Sequence, residues 1–312
     1  MKAMETVFIL LIALALDLSF GEPPNSRHPV AWLGKLISLE TKPFPRKHTL
    51  SQLVYGTAIV LVTSGLVVTS VYFSLTYLKE INSVAYVIAA GLLLKFTFSL
   101  RGLRQAVDSV KGFLAQDKLA QARISLGALV SRDTTGLNQD QLMSATIESA
   151  AENTCDSFVA PLFYFLLFGV PGAIAYRIIN TFDAMVGYHG KWELLGKFAA
   201  RLDDAANFIP ARITGLMIVL SAWICRKNVS QSWQIMLRDH KKTQSPNAGW
   251  TMSAIAGALE IQLEKVNHYK LGDNHYPLSL NSIDGSLRMI MTVAIIWSFS
   301  SILTEVIYFA AT

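Results

Sequence analysis

Charge is what this sequence has least of. Asp, Glu, Lys and Arg make up 16% of its 312 residues, against roughly 25% in an average soluble domain. Apolar residues fill the deficit at 52%, which points away from a protein living wholly in water and toward a membrane protein. Cysteine is nearly absent. Cys155 and Cys225 are the whole complement, too few for a disulfide framework or a thiolate metal site, so they read as two unpaired thiols. The net charge of +5 is spread along the chain. Without a basic tract, nucleic acid is not an expected partner. A Walker loop, a dinucleotide fingerprint and a nucleophile elbow are all missing, as are internal repeats and low-complexity tracts.

What is present is a set of long apolar runs. Residues 49–78 contain no charged side chain, and about 20 apolar residues suffice to span a bilayer. Residues 289–311 are interrupted only by Glu305, and 81–100 carry Lys95. Residues 5–20 hold a shorter run followed by Asp17 and "GEPP" rather than a small-x-small cleavage site, so they read as an uncleaved first span. Residues 157–176 and 205–225 are ambiguous. The first is uncharged but broken by "GVPG", where Pro171 removes a backbone donor and the glycines loosen the chain. Lys and Arg concentrate in 27–47 and 101–132, placing both on the cytoplasmic side. A simple crossing at 157–176 would then export Arg177, Lys191, Lys197 and Arg201. A re-entrant hairpin returns them to the cytoplasm.

The fold expected is therefore all-α. It is a polytopic integral membrane protein with a broken or re-entrant helix and cytoplasmic helical loops, forming one membrane-embedded catalytic domain over 1–312. Two local signals sharpen this. Leu103, Val107, Val110 and Leu114 share one helical face. Asn138, followed three positions later by Gln141, resembles a capping box that opens a helix through Glu148.

Three clusters carry candidate chemistry. Glu148, Glu152 and Asp156 recur every four residues, drifting by about 40° per step on a helix. Like charges so spaced repel, which makes sense if a cation or facing basic groups sit among them. Asn153 adds a polar group. Arg177, Asn180 and Asp183 follow the broken segment. "ARLDDAANFIPAR" supplies Arg201, Asp203, Asp204, Asn207 and Arg212. Oxygen-rich sets of this kind suit Mg²⁺, and the interleaved arginines suit phosphate or carboxylate. Ser245 and Asn247 precede a helix whose first amides are open to an anion. A solvated face, or salt bridges between helices, would explain any one cluster alone. Three within about 65 residues, abutting apolar segments, favour function.

"DLSFGEPPNSRHPVAWLGKLI", "ESAAENTCDSFVAPLFY", "AYRIINTFDAMVGY", "ARLDDAANFIPAR" and "SPNAGW" together resemble the adenosylcobinamide-phosphate synthase family of cobalamin biosynthesis, in that family's order and over nearly the whole chain. Cys155 stands where a small residue such as Ser is expected. The resemblance implies a multi-pass enzyme of the cell (inner) membrane whose active site faces the cytoplasm. It would be a carbon–nitrogen ligase that uses ATP and Mg²⁺ to join adenosylcobyric acid to (R)-1-amino-2-propanol or its O-phosphate. On that footing Glu152, Asp183 and Asp204 are expected to be catalytic, and Glu148, Glu152, Asp156, Asp203 and Asp204 to hold metal. Arg27, His28, Asn153, Arg177, Asn180, Lys191, Arg201, Asn207, Arg212, Ser245 and Asn247 are expected to bind substrate or phosphate. The corrinoid, the amine donor and the lipid bilayer are the expected partners, and the sequence leaves room for a homo-oligomer.

Two other classes compete. A membrane prenyltransferase binding Mg²⁺-pyrophosphate could use "NTFD" and "DDAAN". A non-enzymatic membrane sensor could keep the apolar segments, but it has no need of the three acidic clusters, which this sequence retains.

Overall fold

The structure is a computed structural model that describes residues 2–24, 26–42, 49–187 and 193–311. Regular structure among them is helical except for one two-stranded hairpin, in agreement with an all-α polytopic membrane protein. Four described helical stretches are long and apolar enough to cross a membrane: Thr49–Ile81, Ser83–Ala115, Gln139–Val186 and Leu280–Ile307. A helix pair broken at Asn207, Lys197–Ala206 and Phe208–Ile224, makes a fifth if counted as one span. The expected span at 5–20 forms helix α1 (Lys2–Phe20) but is not among the four. It carries Glu5 and Asp17, paired with Lys79 and Lys95 respectively.

The described chain divides into two compact units, interleaved in sequence. Unit 1 comprises residues 1–99, 160–206 and 300–312; unit 2 comprises 100–159 and 207–299.

Unit 1 contains α1, α2 (Pro29–Thr41), α3 (Thr49–Ile81), α4 (Ser83–Lys95), α8 (Ala160–Val186) and α9 (Lys197–Ala206). Its core is apolar, built from Ile37, Ile59, Val60, Ile178, Phe182, Val186 and Ala199. Only 17% of the most apolar stretch of α3 is buried, leaving Leu61, Val62, Leu66, Tyr72 and Phe73 exposed. Water does not tolerate a patch of that size, and lipid does.

α8 answers the question raised by "GVPG". Gly169 sits at φ 68° and ψ −163°, a conformation closed to residues with a Cβ, and divides the helix into arms 160–168 and 170–186. The rings of Tyr164 and Tyr176 stack with centroids 5.3 Å apart. Twelve residues of straight helix would separate them by about 18 Å along the axis, so the arms fold back on each other. A Cβ at Gly172 would lie 2.6 Å from the carbonyl oxygen of Tyr164, a measure of how closely the arms approach. The segment is a helix broken at Gly169 with its arms folded back, in keeping with the broken helix expected.

Unit 2 holds α5 (Leu100–Ala115), α6 (Leu119–Leu126), α7 (Gln139–Thr154) and a π turn (Cys155–Val159). It continues with α10 (Phe208–Ile224), α11 (Val229–Asp239), α12 (Ala248–Leu259) and strands β1 (Leu263–Lys265) and β2 (Tyr269–Leu271). The first part of α13 (Leu280–Ala311) completes it. The predicted face of α5 is the buried one: Leu103, Val107, Val110 and Leu114 are all inside. The capping box is present in full. Asn138 Oδ1 accepts from the Gln141 amide and Gln141 Oε1 from the Asn138 amide, both at 2.9 Å. From this start α7 runs through the middle of the unit with residues 142–151 all buried. Small side chains (Ser144, Ala145, Ser149, Ala150, Ala151) let its neighbours approach. Leu263 pairs with Leu271 and Lys265 with Tyr269 in the hairpin. Asn267, at φ 61°, makes its turn.

Candidate functional site

Glu148 lies on the central helix of unit 2, 4% exposed. A buried carboxylate needs partners, and it has three. Ser144 Oγ donates to Oε1 at 2.6 Å, Tyr269 OH donates to Oε2 at 2.9 Å, and Arg132 Nη2 stands 3.4 Å from Oε2. Ser144 Oγ also accepts from the Glu264 amide at 2.7 Å. The hairpin is thus fastened to α7 through Ser144 and Glu148. Burial and the negative charge of Glu148 push the Tyr269 phenol well above its ordinary pKa, so it stays protonated and remains a donor.

Around this junction lies a cavity of about 130 Å³ lined by Ser131, Arg132, Glu148, Ser149, Glu152, Lys265 and Tyr269, with backbone and aliphatic wall from Leu129, Val130 and Ala145. Two carboxylates and two cations therefore face one small space. Asp156 is not among the lining residues. It sits in the π turn, whose wider winding breaks the four-residue register that Glu148 and Glu152 share. Of the three acids expected to hold metal, Glu148 and Glu152 line this cavity and Asp156 does not. Among the described residues no three His, Cys, Asp or Glu side chains are grouped to hold a metal ion.

Other expected residues of unit 2 have duties within the fold. Asn153 bonds back to Ser149 and accepts from Ser157. Asn207 is 2% exposed, its Oδ1 3.8 Å from Cys155 Sγ. Arg212 lies over the rings of Phe208 and Trp250, at 3.5 and 4.9 Å, and reaches Asn247 Oδ1 at 3.3 Å. The cap of α12 is Ser245, whose Oγ accepts from the amides of Asn247 and Ala248. The helix start thought open to an anion is already partly filled. Neither Cys155 nor Cys225 is joined in a disulfide.

Unit 1 holds a second group. Lys95, 4% exposed, bonds Glu22 at 2.6 Å and stands 3.3 Å from Asp17. His28 Nε2 meets Glu22 at 2.5 Å, while its Nδ1 accepts from the Val30 amide and caps α2. Both ring nitrogens of His28, expected to bind phosphate, are engaged inside the fold, one with Glu22 and one with the Val30 amide. Burial pushes the Glu22 carboxyl up, but bonds from His28, Lys95 and Ser99 outweigh it and hold the pKa at about 2. Asn180 Nδ2 donates to buried Asp203 at 3.3 Å. Asp183 and Asp204 are half-buried, whereas Arg27 and Arg201 are exposed. Arg177 lines an apolar cavity of about 300 Å³ beside Trp32, Leu33 and Phe96. Lys191 lies outside the described residues.

Reading the sequence alone missed Arg132, Tyr269 and Lys265. Arg132 stood in a stretch read only for its charge. The hairpin had a legible sign, Asn267 between Leu263/Lys265 and Tyr269/Leu271, which is a turn residue flanked by alternation.

Comparison with known proteins settles the family. The profile of the CobD/Cbib protein family matches residues 10–293. This chain belongs to that family. The cobalamin biosynthesis protein CobD of Dehalococcoides mccartyi (strain CBDB1) is 51% identical over 307 residues, covering 98% of this chain and 99% of the relative. A probable cobalamin biosynthesis protein CobD of Methanothermobacter thermautotrophicus is 42% identical over 271 residues, 86% of this chain and 88% of its own. Another, from Methanocaldococcus jannaschii, is 35% identical over 296 residues, covering 93% and 96%. No solved structure matches this CobD/Cbib chain. The resemblance read from five motifs is borne out at the level of the family.

Proposed function

We propose that this CobD/Cbib family member acts in cobalamin biosynthesis as an ATP-dependent amide ligase. It would join a carboxylate of adenosylcobyric acid to the amine of (R)-1-amino-2-propanol or its O-phosphate, at the cytoplasmic face of the cell membrane. The observation that carries this reading is the polar cavity of unit 2, which presents Glu152 and the pair Arg132 and Lys265 to about 130 Å³. A small amino-alcohol phosphate has an ammonium at one end and a phosphate at the other. It needs one carboxylate and one or two cations facing the same small space. Glu152 binds the ammonium and takes its proton as the nitrogen becomes a nucleophile. Arg132, Lys265 and Ser131 hold the phosphate. Glu148 fixes Tyr269 and Arg132 rather than touching substrate.

A carboxylate does not acylate an amine unless activated, most simply as an acyl phosphate, which is the role given to ATP. Mg²⁺, when bound, neutralises the phosphates and polarises the one transferred. Asp203 and Asp204 are adjacent on α9, and their hard oxygen donors fit an ion that keeps most of its shell as water and phosphate oxygen. Asp183 belongs to the same chemical class.

The test is turnover by the purified chain in detergent, given adenosylcobyric acid, ATP, Mg²⁺ and each amine. A corrinoid product heavier by the donor less one water supports the reading. Its absence with every donor, in protein shown to be folded, contradicts it.

A further inference from the structure

We propose that Asp239 is a positioning residue for the polar cavity. By holding Gly272 at the exit of the β1–β2 hairpin, it sets where Lys265 and Tyr269 stand relative to Glu152. Its kinetic consequence rests on the ligase reading; its structural consequence does not.

Each strand of the hairpin is three residues long, and a two-stranded hairpin in isolation is marginal. Something must hold it. On one side that is Ser144 with Glu148, as described. On the other it is the C-terminal end of α11. Asp239 is fully buried, and its two oxygens collect four donors. The Gly272 amide reaches Oδ2 at 2.8 Å, Lys242 Nζ reaches Oδ1 at 2.6 Å, and Arg238 spans both oxygens at 2.8 and 2.9 Å. Arg238 continues to the next residue of the exit, bonding Asp273 twice at 3.0 Å.

The joint has little freedom to relax by itself. Gly272 has φ +78°, and a Cβ there would lie 2.4 Å from the Ile261 carbonyl oxygen and 2.9 Å from Ala256 Cβ. Ile261, Leu263 and Leu271 are buried at 1%, 0% and 0% exposure. The exit strand therefore moves as one piece with the amide that Asp239 holds, and Tyr269 lies three residues upstream of that amide.

A merely stabilising role would not require a carboxylate. Desolvating one costs as much as its ion pairs return, and an apolar residue of similar volume often serves as well. What the carboxylate adds is direction: a fixed acceptor for one backbone amide, braced by two cations.

The experiment uses the full chain in detergent, as wild type, Asp239→Ala, Asp239→Asn and Arg238→Gln. With the amine donor phosphate varied, Asp239→Ala is expected to raise its KM about tenfold, the weight of one directed hydrogen bond. The KM for ATP and kcat should stay within about threefold of wild type on the same scale. Asp239→Asn, which keeps an acceptor for the Gly272 amide, should recover most of the loss. Equal rises in both KM values, or a fall in kcat with the donor KM unchanged, would overturn the proposal. So would an Asn variant no better than Ala. If Asp239→Ala does not fold, Arg238→Gln carries the same test from a half-exposed position, with a smaller rise in the same KM expected. Amide hydrogen exchange gives the second readout. Residues 263–271 should exchange faster in Asp239→Ala while α5 does not change, and unchanged exchange in the hairpin would refute the hold directly. A wild-type protein without turnover would end the ligase reading, and the exchange result would then decide on its own whether Asp239 positions the hairpin.

Discussion

Replacing Ser144 by alanine removes one oxygen and should cost far more than its size suggests. Ser144 is 1% exposed and serves two groups at once, donating to Glu148 Oε1 at 2.6 Å and accepting from the Glu264 amide at 2.7 Å. The alanine variant leaves a buried carboxylate oxygen one donor short and a strand amide with no acceptor. Each unsatisfied buried group costs about 1–3 kcal/mol, so a loss of about 2–4 kcal/mol is expected. Relaxation at the hairpin keeps it below the sum of the extremes. Thr146→Val is the matched control. Thr146 is on the same helix and fully buried, but its hydroxyl bonds only the Leu142 carbonyl of its own helix at 2.6 Å. Its loss should cost under about 1 kcal/mol. The assay is thermal unfolding in a single detergent, followed by circular dichroism, with amide exchange at Glu264 read in parallel. Ser144→Ala should melt clearly below Thr146→Val and expose the Glu264 amide. Equal melting of the two would refute the claim that Ser144 joins hairpin to helix.

Further outcomes follow from the same contacts. Arg132→Ala and Lys265→Ala should each raise the KM for a phosphorylated amine donor by about tenfold or more, as loss of a charge-assisted hydrogen bond does, and affect an unphosphorylated donor much less; steady-state kinetics with both donors checks this. Gly169→Ala forces a Cβ into a positive-φ site at the hairpin apex of α8, at a cost of about 1–3 kcal/mol, visible as a lower melting temperature. The Glu22 carboxyl is held at about 2 against an ordinary 4.5. A depressed acid stabilises the fold above its unfolded pKa, and that contribution is lost as pH falls toward the folded value. Melting temperature should therefore drop between pH 4.5 and 2 in wild type, by the equivalent of about 1–2 kcal/mol once screening at a side chain 27% exposed is allowed for. Glu22→Gln should flatten that part of the profile.

The sequence made the elements legible where one physical signal dominated. The uncharged run of α3, the amphipathic face of α5 and the capping box of α7 each follow from local chemistry, and each stands where that chemistry puts it. The α8 hairpin was legible because Gly169 and Pro171 interrupt an apolar run whose ends need to lie on one side. The site was legible only in part. Glu148 and Glu152 were marked by charge in an apolar setting, but Tyr269, which bonds Glu148, lies 121 residues downstream in the β hairpin, and no local pattern encodes that distance. Asp156 does not line the polar cavity, because the π turn changes the register after Thr154 and periodicity extrapolates a regular helix. His28 and Ser245, expected to bind phosphate, serve as caps in the fold, since caps and anion sites use the same atoms. Only the geometry shows which backbone amides claim them.

The central claim, that the Glu152 cavity receives the amine donor, is tested most directly by titrating aminopropanol phosphate into the purified chain and into Glu152→Gln by calorimetry. The wild type should bind one equivalent, and the variant should bind at least about tenfold more weakly, since an ammonium loses its carboxylate. Equal affinity in the two proteins would contradict the account.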